Sequence, residues 1–115
     1  MYSTLNIQSK ISNYSIHFIS DIDEIVELVC ASNTITFVDA NVVKLYPELN
    51  LPNIVSVDCI EPQKSLEGAY SIYLILVDRK ANINTKIVVI GGGILQDLIG
   101  FCCSTYCRGI EYILI

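Results

Sequence analysis

The chain has one histidine and five cysteines in 115 residues, and no two cysteines form a C-x-x-C pair. A structural metal site of the zinc type needs about four nitrogen or sulfur ligands at close spacing. His17 and the cysteines at 30, 59, 102, 103 and 107 do not supply such a set, so no metal is expected in this chain. The odd cysteine count also argues against a disulfide framework. Cys103 and Cys107 are one helical turn apart and could in principle share a metal. The plainer reading makes Cys102, Cys103 and Cys107 small, soft residues on a packed helix. His17, within "YSIHFIS", reads as a sheet residue. Basic residues are also few, 7 against 12 acidic for a net charge of −5, and they form no cluster. A nucleic-acid partner is therefore not expected. No apolar run reaches the ~18–20 residues of a membrane span. The start "MYSTLNIQSK" lacks the basic and apolar segments of a secretory signal, from which a cytoplasmic location is expected. Internal repeats and low-complexity linkers are absent.

What remains is a well-buried composition, 52% hydrophobic and 17% charged, enough for one compact domain over residues 1–115. "STLNIQSK" and "YSIHFIS" predict a hairpin around "ISN". "DIDEIVELVCAS" predicts a helix from about Ile22 to Ala31, with acidic residues complementing its first turn. "TITFVDAN" predicts a buried strand, "VVKLYPEL" a short helix cut by Pro47, and "NIVSVDC" a strand. "EPQKSLEGAYSIYLILVDRK" predicts a helix opened by Pro62, dense in apolar residues from Leu66 to Val77 and weakened at Gly68. "TKIVVIGGG" predicts a strand, "ILQDLIGFCCSTYCR" a helix with Leu95, Leu98, Ile99 and Cys102 on one face, and "EYILI" a last strand. Strand–helix alternation after the hairpin implies a Rossmann-like α/β fold, a mostly parallel sheet with helices on both faces. Continuous runs such as "ITFV" and "KIVVI" suit a sheet covered twice. The bare hydrophobic ending "EYILI" suggests a truncated chain.

Ligands of open parallel sheets bind beyond the carboxyl ends of the strands, where strand order reverses. Three strand ends carry signals there: Asp39 and Asn41 in "FVDAN", Glu61 and Lys64 in "VDCIEPQK", and Gly91, Gly92 and Gly93 followed by Asp97. Asp39 can take two ribose hydroxyls, or cap the helix of "NVVKLY". The glycines let backbone approach a pyrophosphate at a helix start, or form only a tight turn. Lys64 can supply positive charge, or be simply solvated. The standard dinucleotide order is not met, since its acidic residue follows the glycines by ~20 positions and Asp39 precedes them.

"IVVIGGGILQDLIGFCCSTYCRGIEYILI", with "VDANVVKLY" and "EPQKSLE" upstream, resembles the N-terminal domain of the 3-dehydroquinate synthases and related sugar-phosphate cyclases. The resemblance runs from about Phe37 to Ile115. It implies an enzyme that oxidises a secondary alcohol of a heptulosonate phosphate with bound NAD, eliminates phosphate, reduces the ketone and closes the ring by an aldol step. That places it in the shikimate pathway of aromatic amino acid biosynthesis. It further implies that Asp39 and Asn41 contact the adenosine part, Glu61 and Lys64 the ribose region, Gly91 to Gly93 the pyrophosphate, and Asp97 the nicotinamide side. Arg108 would bind substrate phosphate or carboxylate; without the resemblance, it reads as a helix-end residue with Gly109 as cap. The family's metal, zinc or cobalt, is held by one Glu and two His of a larger helical C-terminal domain, and the parent enzyme is implied to be a homodimer.

Two departures stand out. Gln96 occupies the position of the family's next glycine, and the residues for metal and catalysis are not in this chain, so the chain alone is expected to be inactive. Other readings are a related cyclase with another substrate, and a degenerate Rossmann-like interaction module.

Overall fold

A computed structural model describes residues 3–115. β1 (Ser3–Ile7) and β2 (Tyr14–Phe18) form the expected antiparallel hairpin, with Leu5 opposite Ile16 and Ile7 opposite Tyr14. Alternation along the strands puts these apolar residues on one face and Thr4, Asn6, Ser15 and His17 on the other. The polar face is tied by hydrogen bonds from Ser15 to Asn6 at 2.8 Å and between Thr4 and His17 Nδ1 at 3.1 Å. His17 is thus a sheet residue, as read. α1 (Ile22–Cys30) starts at Asp21, whose carboxylate accepts the Asp23 N–H at 3.0 Å.

The rest of the chain alternates as β3 (Thr34–Asp39), α2 (Ala40–Leu45), β4 (Ile54–Val57), α3 (Leu66–Asp78), β5 (Lys86–Ile90), α4 (Gly93–Thr105) and β6 (Tyr112–Leu114). The four strands are parallel in the order β4-β3-β5-β6. After β3 the chain steps outward to β4, then crosses back to place β5 on the other side of β3. The reversal lies between β3 and β5.

Both faces of the sheet are covered, which is why its strands are continuously apolar. Ile35, Phe37, Ile87 and Val89 turn into a core with Ala69, Ile72 and Leu76 of α3 and Leu95, Leu98, Ile99, Cys102 and Cys103 of α4. Val38, Val88 and Ile90 turn the other way, onto Val29 of α1, Leu49, and Val42 and Val43 of α2. Tyr46 interrupts the short helix, and Pro47–Leu49 continues as a 3-10 turn. Among the described residues no helix is long and apolar enough to cross a membrane.

The start of α3 differs from expectation. Pro62 belongs to a separate 3-10 turn, Glu61–Gln63, and the helix starts at Leu66 with Ser65 as its cap. The Ser65 hydroxyl accepts the Gly68 N–H at 3.1 Å. A serine cap satisfies a first-turn donor, whereas proline only tolerates lacking one, so the cap sets the boundary. Gly68 is not a weak point but a requirement. A Cβ there would stand 1.9 Å from the Gln63 carbonyl oxygen, backbone that the turn holds in place. The cysteine reading is also divided. Cys102 and Cys103 are buried in α4, but Cys107 is exposed beyond the helix end with φ +48°, because α4 stops at Thr105.

Gly68→Ala is therefore expected to destabilise the fold by about 1–3 kcal/mol through overpacking, despite alanine's better helix propensity. An unchanged urea midpoint would exclude the close approach. The buried thiols give a second expectation. Burial pushes Cys102 up to about 11 and Cys103 to about 12, from the usual 9.0. Above pH 9 the unfolded chain releases these protons and the folded chain keeps them, so stability falls as pH rises from 9 towards 11–12. Denaturant titrations at pH 8 and pH 10 should show this loss, reduced in Cys103→Ala relative to its own value at pH 8; equal pH slopes would contradict it.

Candidate functional site

The parallel strands bring Asp39, the Glu61–Lys64 segment and Gly91–Gly93 to one edge of the sheet. Val38 pairs with Ile90, so Asp39 and Gly91 are the first residues beyond that register on either side of the strand-order reversal. They pack against each other. A Cβ on Gly91 would stand 3.0 Å from both the Asp39 Cβ and a Leu95 methyl. The Gly91 N–H is held by the Ile115 carbonyl at 3.1 Å, which ties the turn to the end of β6.

Gly92 and Gly93 are different. A Cβ at either would meet nothing within 4 Å, and neither has a positive φ. They precede and open α4, whose N-terminus has no side-chain cap. The first-turn N–H groups of a 13-residue helix thus have no capping partner and face a backbone without side chains. Such an end carries partial positive charge and suits an anion.

Asp39 is half-buried, and one carboxylate oxygen accepts the Asn41 N–H at 2.8 Å, capping α2. The second oxygen retains accepting capacity, so capping and ligand contact are compatible. Beside it lies Cys59, a neighbour the sequence reading overlooked. Its position two residues beyond β4, adjacent to the strand that ends in Asp39, was the available signal. Burial pushes the Cys59 thiol up to about 11, and the Asp39 carboxylate and then Asp58 add to the rise. At neutral pH it stays protonated and is a poor nucleophile.

Lys64 follows the 3-10 turn and forms an ion pair with Asp97 of α4 at 3.1 Å. The structure thus joins two residues that were singled out separately. Asp97's hydrogen bond and charge, followed by the charge of Glu61, hold the Lys64 amine above its usual range. A depression of about 360 Å³ opens here, lined by Lys64, Ser65, Ala69, Asp97, Leu98 and Phe101 among others. A second, of about 410 Å³, lies on the other side of Gly91, between α1, α2 and Ile115. A third cavity, of about 910 Å³, lies apart from the reversal, between β2, α1 and β6. Asn41 and Glu61 are exposed at the same sheet edge.

Arg108 is not with them. α4 carries the chain from the carboxyl edge back to the amino edge, where Ile110 N–H bonds to the Cys103 carbonyl and Tyr112 starts β6 opposite Ile87. Arg108 is exposed in this connection with φ +66°, between Cys107 at +48° and Gly109 at +113°. Gly109 closes the 3-10 turn through its N–H to the Tyr106 carbonyl at 2.8 Å. Within one copy of this chain, Arg108 therefore lies at the opposite edge of the sheet from Asp39 and Lys64. Among the described residues no three His, Cys, Asp or Glu side chains gather as metal donors.

Comparison with known proteins places this geometry. Residues 54–115 match the family model described as 3-dehydroquinate synthase N-terminal. A 3-dehydroquinate synthase of Clostridium tetani is 45% identical over 53 residues, covering 46% of this chain and 14% of that protein. A 2-epi-valiolone synthase of Stigmatella aurantiaca is 37% identical over 92 residues, covering 72% of this chain and 23% of that protein. A crystal structure of 2-deoxy-scyllo-inosose synthase superposes with a TM-score of 0.76 at 21% identity, over 98% of this chain and 35% of that one. A 2-epi-5-epi-valiolone synthase from Streptomyces hygroscopicus, solved with NAD+ and Zn2+ bound, gives 0.64 at 22% identity over 70% of this chain and 25% of its own. The chain thus spans about a third or less of the length of these relatives. It belongs to the 3-dehydroquinate synthase family of sugar-phosphate cyclases, in the part corresponding to the family's N-terminal domain.

Proposed function

We propose that this chain is the NAD-binding domain of a 3-dehydroquinate synthase-like lyase of the shikimate pathway, cytoplasmic, homodimeric and dependent on further residues for turnover. The observation that carries the NAD reading is the pair Gly92 and Gly93. Neither space nor backbone conformation within the chain calls for glycine there, yet both lie at an uncapped helix start. A ligand whose backbone contacts forbid side chains accounts for them. A diphosphate fits the charge of that position. A structure of 2-deoxy-scyllo-inosose synthase is described as complexed with carbaglucose-6-phosphate, NAD+ and Co2+, which supports the same cofactor here.

In this reading Asp39 accepts ribose hydroxyls through its free oxygen while Asn41 N–H holds the other. Asn41 borders the adenosine part, Glu61 and Lys64 border the ribose and its neighbours, and Asp97 approaches the nicotinamide side. Gly91 sets the distance between Asp39 and the turn, and the first turn of α4 offers N–H groups to the pyrophosphate. When bound, NAD supplies a reversible acceptor for one hydride of the substrate alcohol. The residues described here bind and orient that acceptor; none is assigned the proton transfers or phosphate loss. A zinc or cobalt ion does not fit them, since no donor set gathers among the described residues. Arg108 keeps its proposed contact with substrate phosphate or carboxylate only where a surface beyond this sheet edge brings substrate to it.

A second reading, a related cyclase acting on another sugar phosphate, draws on the 37% identity to 2-epi-valiolone synthase. Phosphate release by the intact natural protein from a heptulosonate phosphate, set against other phosphorylated ketoses, separates the two.

Gly92→Ala and Gly93→Ala in the intact protein are expected to weaken NAD about tenfold or more, with thermal unfolding unchanged or raised. Unaltered NAD affinity in both would remove the turn from the site. Asp39→Asn is a sharper probe than Asp39→Ala, because asparagine still caps α2. Loss of a charged acceptor should cost about 1.5–3 kcal/mol of binding, roughly 10- to 150-fold in Kd. Isothermal titration with NAD showing equal Kd for Asp39→Asn and wild type would exclude the ribose contact.

A further inference from the structure

The G-x-G-x-x-G spacing reaches Gln96 where a third glycine would permit close helix–strand packing. In this chain that packing is served one turn later. A Cβ on Gly100 would approach the Tyr112 hydroxyl of β6 at 3.3 Å, so the small residue sits where α4 crosses the neighbouring strand. Gln96 is free of that duty and is half-buried. Helical side chains lean towards the N-terminus, and Gln96 does so: its Nε2 donates to the Gly91 carbonyl at 3.0 Å. Its own backbone N–H bonds to the Gly92 carbonyl at 3.0 Å. The side chain therefore spans the turn from outside.

We infer that Gln96 is a positioning residue that pins the Gly91–Gly93 turn in its diphosphate-binding conformation, in place of the missing glycine. This deepens the NAD reading and rests on it. Gly92 and Gly93 each lose more backbone freedom on ordering than any other residue would. Gly91 is fixed by packing on Asp39 and Leu95 and by its N–H to Ile115. The Gln96 amide adds a tie from the helix to the Gly91 carbonyl, so both ends of the two-glycine segment are held before ligand arrives. Binding to a preorganised turn costs less entropy than ordering a loose one.

The test uses Gln96→Met, which keeps length and loses the donor, and Gln96→Gly, which restores the glycine spacing. In the intact protein titrated with NAD, Gln96→Met is expected to raise Kd about fivefold, the worth of one ordinary hydrogen bond, with the unfolding midpoint little changed. Gln96→Gly should raise it at least as much. In ligand-free protein, the backbone order parameters of the Gly92 and Gly93 amides should fall in both variants. A purely structural role would move the midpoint and leave affinity and order parameters alone. Wild-type binding matched or exceeded by either variant overturns the inference and makes Gln96 neutral or an obstruction. No NAD binding by wild type removes the cofactor reading itself, and this inference with it.

Discussion

The contact between Asp39 and Gly91 sets the geometry of the sheet's functional edge. At the strand-order reversal β3 and β5 are nearest neighbours, and the chain leaves them in opposite directions, into α2 on one face and α4 on the other. Both departures must clear each other within a residue of the last paired positions, Val38 and Ile90. A Cβ at 91 would crowd both Asp39 and Leu95, each 3.0 Å from the position such an atom would take, so a side chain there would have to push them apart. With that approach fixed, Asp39 caps α2 and α4 starts without a side-chain cap, both beside Gly91. A carboxylate suited to hydroxyls and a helix start suited to phosphate are therefore products of one steric condition.

The same condition explains why the glycines are not equivalent. Gly91 answers to packing inside the domain, as Gly68 answers to the Gln63 carbonyl and Gly100 to Tyr112. Gly92 and Gly93 answer to nothing inside it. A run of three identical letters thus holds one residue closely packed inside the domain and two with open space around them, the pair on which the proposed NAD reading rests.

The sheet, its helices and the edge that carries Asp39, Lys64 and Gly91 were legible because each rests on local pattern: continuous apolar strands, a helical apolar face from Leu95 to Cys102, and turn chemistry between them. The differences from expectation concern contacts between distant backbone segments or the length of an element. Pro62 looked like a helix start because proline signals N1, while the decisive Ser65–Gly68 bond depends on where the Gln63 carbonyl ends up. Arg108, named on resemblance, lies at the other edge, because a 13-residue α4 returns the chain there; its role toward substrate is a separate matter from its place in the fold. That placement was available from parallel strand order alone. The contact of Cys59 with Asp39 and the backward reach of Gln96 depend on side-chain direction, which sequence spacing does not specify.

The Lys64–Asp97 pair shows how such an edge keeps its charges before a ligand arrives. Side chains are 40% and 65% exposed, so the pair lies in high dielectric, where solvent screens it and it holds only weakly. That is enough to bias Lys64 toward α4 and too little to resist a ligand. Under the proposed NAD reading, a nucleotide that draws Lys64 to a hydroxyl or phosphate replaces this solvent-screened contact by another charge-assisted bond. Asp97 is then released on the first exposed turn of α4, one residue from Gln96. A pair this weak, joining the loop before α3 to the helix after the glycine turn, links the two halves of the edge without locking them, and leaves the turn's rigidity to Gly91 and Gln96.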